Sequence, residues 1–66
     1  MEWKPDKDAG VPIYMQIAKE LERQIVLGVL SPGTSLPPER VLARRFGVNR
    51  GTVSAASMER KRAGYD

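Results

Sequence analysis

The fold is predicted most directly by residues 43–53, Ala43-Arg-Arg-Phe-Gly-Val-Asn-Arg-Gly-Thr-Val53. A helical pattern of apolar residues ends there at Gly47, and a second helical pattern starts three residues later with Arg50. A break this short cannot let two helices separate, so it folds them across each other at a steep angle. The stretch therefore predicts a helix-turn-helix, a unit that holds its second helix outward where it can enter a DNA groove.

Three helices are predicted around this turn. Residues 12–28 form the first, because apolar residues recur there at spacings of three and four. The second covers residues 38–46, and the third begins after Asn49, a residue type that caps helix N-termini well. An apolar stripe on the first helix suits a partner-binding face or a core, and the core interpretation is favoured. The positions predicted to face inward are Tyr14, Ile17, Leu21, Ile25, Val41, Leu42, Phe46, Val53 and Ala56.

Glycine and proline mark the connections between these helices. Residues 29–38 are predicted to form a loop, because Ser31-Pro32-Gly33 is a turn signal. Val29, Leu30 and Leu36 from this loop are expected to close the bottom of the core. Gly47 suits the tight turn, since it adopts a positive φ without steric cost.

Composition excludes several classes of protein. The chain has 66 residues with no cysteine and no histidine, which rules out zinc sites built on those ligands and Cys or Ser-His nucleophiles. Two groups could in principle be catalytic, Glu39 beside Arg40 and Tyr14. Glu39 is explained equally well as an acidic residue at a helix N-terminus, and Tyr14 as a core residue. We expect no catalytic residue, cofactor or metal. With no apolar segment of membrane-spanning or signal-peptide length, a cytoplasmic protein without a membrane partner is predicted.

Charge is distributed unevenly along the chain. Residues 1–38 carry four basic and five acidic side chains, whereas residues 39–62 carry seven basic and two acidic ones. Six of those seven are arginines, whose planar guanidinium suits phosphates and guanine edges. Arginine-rich helices also occur merely as solvated surfaces. Together with the turn, the asymmetry favours nucleic-acid binding.

The two ends of the chain show weaker patterns. Residues 1–11 are predicted to be a flexible lead-in, where Trp3 either packs back on the domain or contacts a partner domain. Beyond Ser57 the apolar stripe degrades, because Arg60 stands where an apolar residue would continue it. A buried, unpaired charge is costly, so the end of the third helix is expected to fray or repack before Gly64.

Several short motifs occur together along the chain. They are Pro12-Ile-Tyr14, Pro32-Gly33, Leu36-Pro37 with Glu39-Arg40, and Gly47-Val48 with Arg50 and Thr52-Val53. With this combination, residues 12–64 resemble the N-terminal DNA-binding domain of the GntR family of bacterial transcription regulators, and the motifs match the family pattern in order and without gaps. The resemblance implies a winged helix-turn-helix, so the predicted class is all-α with a three-helix core. It also implies sequence-specific binding with the recognition helix, about residues 50–61, in the major groove.

The resemblance implies DNA contacts from Arg40, Arg50 and Thr52. Their chemistry agrees: arginine at position 50 can hold guanine O6 and N7, threonine can meet a phosphate or a thymine methyl, and Arg40 suits a phosphate. Arg44 and Arg45 suit either peripheral phosphate contacts or a solvated face, and this choice stays open. The candidate DNA-contacting residues are Arg40, Arg44, Arg45, Arg50, Gly51, Thr52 and Ser54.

The sequence departs from the family pattern at three positions and at its end. Gly51 and Ser54 replace longer side chains that many members use, and Arg60 stands at a position that is usually leucine. Residues 65–66 are expected to be the truncated start of a wing, and the effector ligand would bind a C-terminal domain that is absent here. The expected partners are operator DNA and a second copy of the full-length regulator. The alternative to a DNA-binding function is a small helical protein-interaction module. The Glu2-Trp3-Lys4-Pro5 start and Gly64-Tyr65 end resemble the MocR-like branch, whose partner domain resembles an aminotransferase.

Overall fold

Three helices make up the regular structure of the chain. The computed structural model describes residues 2–28 and 36–64. Within these ranges α1 covers Ile13–Val26, α2 covers Glu39–Phe46 and α3 covers Arg50–Arg62, with no strand. The predicted all-α class is therefore confirmed. Outside the described residues lie the predicted Ser31-Pro32-Gly33 turn, Val29, Leu30 and the wing start at 65–66.

A proline precedes helix α1 and a glycine follows it, as its sequence predicts. Pro12 precedes the helix with ψ 141°, so the first helical residue is Ile13, one position later than predicted. The last helical residue is Val26, two positions earlier than predicted, and Leu27 is the C-cap. Gly28 follows with φ +80°, as expected of a glycine at a helix C-terminus. In the described part of the chain, no helix has the length and apolar character needed to cross a membrane.

The core lies where α3 packs against both other helices. Ile17 and Leu21 of α1 are fully buried, as is Val53 of α3. Tyr14, Ile25 and Val41, which were also predicted to face inward, are only half-buried. The buried apolar cluster consists of Ile17, Ala18, Leu21, Leu42, Ala43, Phe46, Val53 and Ala56, with Trp3, Ile13, Tyr14, Leu36 and Val48 packed against it.

The turn between α2 and α3 has the predicted geometry. Gly47 ends α2 with φ +70° and ψ 36°, the left-handed conformation that favours glycine. The Val48 N–H donates to the Ala43 carbonyl at 3.0 Å, which satisfies one of the last carbonyls of α2. Asn49 then caps α3. Both signals are local, and both are confirmed.

Of the two alternatives for the end of α3, fraying or repacking, fraying is wrong. The helix continues to Arg62, and Arg60 lies on its inner face with only 4% of its surface exposed. Its three methylene groups occupy the inner-face position that follows Ala56, since an arginine stem can be buried as an apolar residue is. Arg60 makes an interaction within the structure, so burial does not leave the residue without a partner.

The N-terminal segment lies against the helices. The indole ring of Trp3 packs edge-to-face on Phe46, with 5.4 Å between ring centroids and an angle of 84°. Gln16 of α1 is hydrogen-bonded to the backbone of Asp6. Of the two alternatives for Trp3, the structure shows the one in which it packs back on the domain. The flexibility of residues 1–11 stays a prediction.

Candidate nucleic-acid interface

Four exposed arginines are gathered on α2 and the first residue of α3. They are Arg40, Arg44, Arg45 and Arg50. Among the residues that the structure describes, the ion pairs join Arg23 to Glu20 and Arg62 to Glu59, and neither pair includes any of these four. Their guanidinium groups are therefore accessible to an anionic partner without first breaking an ion pair.

The buried side of α2 determines which way its arginines point. Leu42, Ala43 and Phe46 face the core. Arg40 and Arg44 are four residues apart, which places them on one exposed face of the helix. Arg45 lies about 100° further round the helix axis, because each residue of an α-helix turns by that angle. The helix thus offers one pair of aligned cations and one separate cation.

The N-terminus of α3 is organised by Asn49. Its Oδ1 accepts a hydrogen bond from the Thr52 backbone N–H at 2.8 Å, and a second from the Thr52 hydroxyl Oγ1 at 3.0 Å. The first bond is the predicted cap, which satisfies an otherwise free donor of the first turn. The second bond was not predicted, although the Asn-x-x-Thr spacing carries its signal. It uses the hydroxyl hydrogen of Thr52, leaving the methyl group and the oxygen lone pairs.

The four candidate DNA-contacting residues at the start of α3 differ in exposure. Arg50 and Gly51 are exposed, whereas Thr52 and Ser54 are half-buried. The Thr52 hydroxyl is hydrogen-bonded back to the Asn49 side chain. All four nevertheless belong to the first five residues of the helix, next to the turn.

Glycine at position 51 is not required by the backbone. Its φ is not positive, and a Cβ built there would lie 3.4 Å from Asn49 Oδ1, an ordinary contact distance. A glycine within a helix costs stability relative to alanine. The residue therefore leaves an opening on the exposed side of α3 without any structural need for one.

The acidic side chains that are paired lie on α1 and towards the end of α3. Glu20 accepts hydrogen bonds from Arg23 Nε at 3.0 Å and from Gln24 Nε2 at 2.7 Å. The hydrogen bonds from Arg23 hold the pKa of Glu20 below its usual value, although burial opposes them. Hydrogen bonds from Arg62 likewise lower the pKa of Glu59. Both carboxylates are already compensated within these two helices.

Comparison with known proteins identifies the domain. The model of the family described as bacterial regulatory proteins, gntR family, matches residues 13–64. The uncharacterized HTH-type transcriptional regulator YdeF of Bacillus subtilis is 51% identical over 57 residues, which are 85% of this chain and 12% of YdeF. The probable rhizopine catabolism regulatory protein MocR of Rhizobium meliloti is 44% identical over 48 residues, 73% of this chain and 10% of MocR.

A solved structure supports the same assignment. YtrA from Sulfolobus acidocaldarius, a GntR-family transcription factor, matches with a TM-score of 0.85 and 39% identity, over 97% of this chain and 68% of that one. The chain spans only about a tenth of the length of YdeF and MocR, so it corresponds to one domain of those relatives. It belongs to the gntR family of bacterial regulatory proteins, as the helix-turn-helix DNA-binding domain of a transcription regulator.

Proposed function

We propose that the domain recognises a specific double-stranded operator with α3, about residues 50–61, in the major groove. The observation that carries this proposal is the group of four exposed arginines on α2 and at the start of α3, none of them in an ion pair with a described acidic residue. Phosphate contacts supply most of the binding energy and base contacts supply the sequence information. The two roles fall on different helices.

Base recognition is assigned to the first turns of α3. Arg50 is exposed directly after the turn, where its guanidinium can hold guanine O6 and N7 together. Thr52 presents its methyl group to a thymine, since its hydroxyl hydrogen is already donated to Asn49. Ser54 lies one turn beyond Arg50 and accepts or donates at a neighbouring base. Gly51 lets the main chain of α3 approach the DNA closely, because it has no side chain.

Phosphate binding is assigned to α2. Arg40 and Arg44 share one face of this helix and are separated by a single turn. A pair of cations at that spacing suits two phosphates of one strand, and it fixes the position of α3 without reading sequence. Arg45 is assigned a peripheral phosphate contact, because it lies on a different side of the helix.

In the full-length regulator, we assign the remaining functions to other domains. The relatives YdeF and MocR are far longer than this chain, so they contain sequence for further domains. We propose that a homodimer places two copies of α3 on two half-sites, and that an effector binds in a C-terminal domain. Similarity to MocR favours the MocR-like branch for that domain. As a regulator of bacterial DNA, the protein acts in the cytoplasm.

No catalytic role is included in the proposal. The groups considered from the sequence, Glu39 and Tyr14, are both half-buried. Tyr14 packs against the buried apolar cluster, and Glu39 is the first residue of α2. A protein-interaction module, the other alternative, does not explain why the exposed arginines concentrate on the two helices of the helix-turn-helix.

The test is a salt titration of DNA binding followed by fluorescence anisotropy. The chain is titrated onto a labelled duplex of mixed sequence at several salt concentrations. An affinity that falls linearly on a log–log plot shows phosphate-led binding, with a slope of about −0.9 for each phosphate contacted. Selection from a random duplex library then identifies the operator. Absence of binding at low salt, for the chain alone and for the full-length dimer, contradicts the proposal.

A further inference from the structure

The backbone of α2 lies close to α3 but not to α1. Helix α3 packs against both other helices, whereas α1 and α2 have no close backbone approach. Side chains of both helices belong to the shared buried cluster, Ile17 and Leu21 from α1 with Leu42 and Phe46 from α2. A further segment that contacts both helices can therefore add to the restraint on the orientation of α2.

The N-terminal strap, defined as residues 2–11, is fastened to α1 by Gln16. The Nε2 group of Gln16 donates to the backbone carbonyls of Asp6 and Val11, each at 2.8 Å. Its Oε1 accepts from the Asp6 N–H, also at 2.8 Å. One side chain therefore makes three hydrogen bonds to two points of the strap. This end of the strap is fixed to the second turn of α1.

The other end of the strap reaches α2 through Trp3. Its ring lies edge-to-face on Phe46, the last residue of α2, with 5.4 Å between centroids. Phe46 is 2% exposed and belongs to the core, and Gly47 of the turn follows it directly. The contact therefore acts on the end of α2 where the chain turns into α3. Aromatic pairs in this geometry contribute beyond their buried area.

We propose that the strap ties α1 to α2 and sets the angle of α2, so that Trp3 and Gln16 are positioning residues for the arginines of α2. The consequence for DNA rests on the proposed function. If α2 is already oriented in the free protein, binding does not have to supply the cost of ordering it. The strap thus links two helices whose backbones are not in direct contact.

A distance measurement tests the strap without DNA. The chain has no cysteine, so Lys19→Cys and Arg45→Cys place one spin label on α1 and one on α2. We expect a narrow distribution of the distance between the two labels when the strap is unmodified. The distribution should become broader with Trp3→Ala and with Gln16→Ala, and it should stay narrow with Trp3→Phe. Met58→Ala is the control, because Met58 is 71% exposed and lies outside the strap. Circular dichroism is recorded for each variant to show that the helices remain.

The single tryptophan of the chain supplies a second readout. Gln16→Ala releases the α1 end of the strap while Trp3 itself is unchanged. Acrylamide should then quench the Trp3 fluorescence more strongly than in the unmodified chain. A distribution that stays narrow in both Trp3→Ala and Gln16→Ala, with helix content intact, overturns the proposal.

DNA titrations of the strap variants, made in the chain without the two cysteine substitutions, test the consequence. Trp3→Ala should weaken binding by about two- to tenfold, the range that corresponds to one aromatic pair. The salt slope should stay the same, since every arginine is retained, and Trp3→Phe should recover the affinity. Unchanged affinity in a folded Trp3→Ala chain overturns the positioning role. If the unmodified chain and the full-length dimer do not bind DNA, the proposed function fails, while the spin-label distances still decide whether the strap orients α2.

Discussion

The two ends of α3 use charge in opposite ways. At its N-terminus Arg50 is exposed, and the first turn contains no acidic residue to complement the helix dipole. At its C-terminus the last turn carries Arg60, Lys61 and Arg62, which suit the dipole, and Arg62 is paired with Glu59. A cation at the first end costs helix stability, and cations at the second end increase it.

This contrast indicates that the C-terminal end of α3 serves folding, whereas its N-terminal end is the one that the proposed function uses. Gly51 adds to the contrast, because it follows Arg50 and weakens the helix further. Natural proteins depart from local helix rules chiefly at functional positions. Asn49 offsets part of this cost by capping the helix at the same end. The N-terminal end is therefore where substitutions should separate stability from DNA binding.

Arg50→Ala should have the largest effect, and it should fall on binding alone. We expect a loss of about 1–3 kcal/mol on the operator and relaxed specificity at one base pair. Stability to urea should be unchanged or slightly higher, because a cation that opposes the helix dipole is removed. Anisotropy and urea denaturation measure the two quantities. Lys19→Ala, which removes an exposed charge from α1, is the control; equal losses in both variants would show that only net charge matters.

Asn49→Ala should come next, with a loss of about 0.5–2 kcal/mol in the free energy of unfolding. It removes the acceptor for both the Thr52 N–H and the Thr52 hydroxyl. Urea denaturation followed by circular dichroism measures the change. Asn49→Asp retains an acceptor at this position and should stay close to the unmodified chain. Comparable stability of the alanine and aspartate variants would mean that the cap does not hold α3.

Gly51→Ala should stabilise the domain by about 0.5–1 kcal/mol, since alanine is the better helix former and its Cβ fits at 3.4 Å from Asn49 Oδ1. Gly47→Ala is the matched substitution at a φ of +70°, where a side chain is strained, and it should destabilise. Thermal denaturation compares the two variants. A destabilising Gly51→Ala would show that the glycine serves the fold rather than the interface.

The pH dependence of stability should be the smallest effect, and it belongs to the C-terminal end. Hydrogen bonds from Arg62 lower the pKa of Glu59 below its usual 4.5 in the folded chain. The associated stabilisation is therefore fully present above pH 4.5 and is lost as the pH falls through the lowered pKa. Glu59→Gln should make the melting temperature less sensitive to acid, and Glu20, whose pKa is also lowered, should contribute to the sensitivity that remains. Arg50→Ala should leave the pH profile unaltered.

Much of the fold and part of the site could be predicted because their causes are local. Apolar spacing, the glycine at position 47 and the cap at Asn49 each act within a few residues, and each prediction holds in the structure. The exposure of Arg40, Arg44, Arg45 and Arg50 follows from the same helical periodicity. Whether these arginines touch DNA stays a prediction, because it depends on a partner molecule.

Three helices, the turn between α2 and α3, and an arginine-rich surface around that turn could be predicted from the sequence alone. Only the tertiary structure decided that Arg60 is buried at 4% exposure and that Trp3 packs on Phe46, 43 residues further along the chain. The physical reason is that both depend on the space left between elements that are distant in sequence. The local conformational preference of a residue does not depend on the space between distant elements, whereas packing in a folded core depends on that space directly.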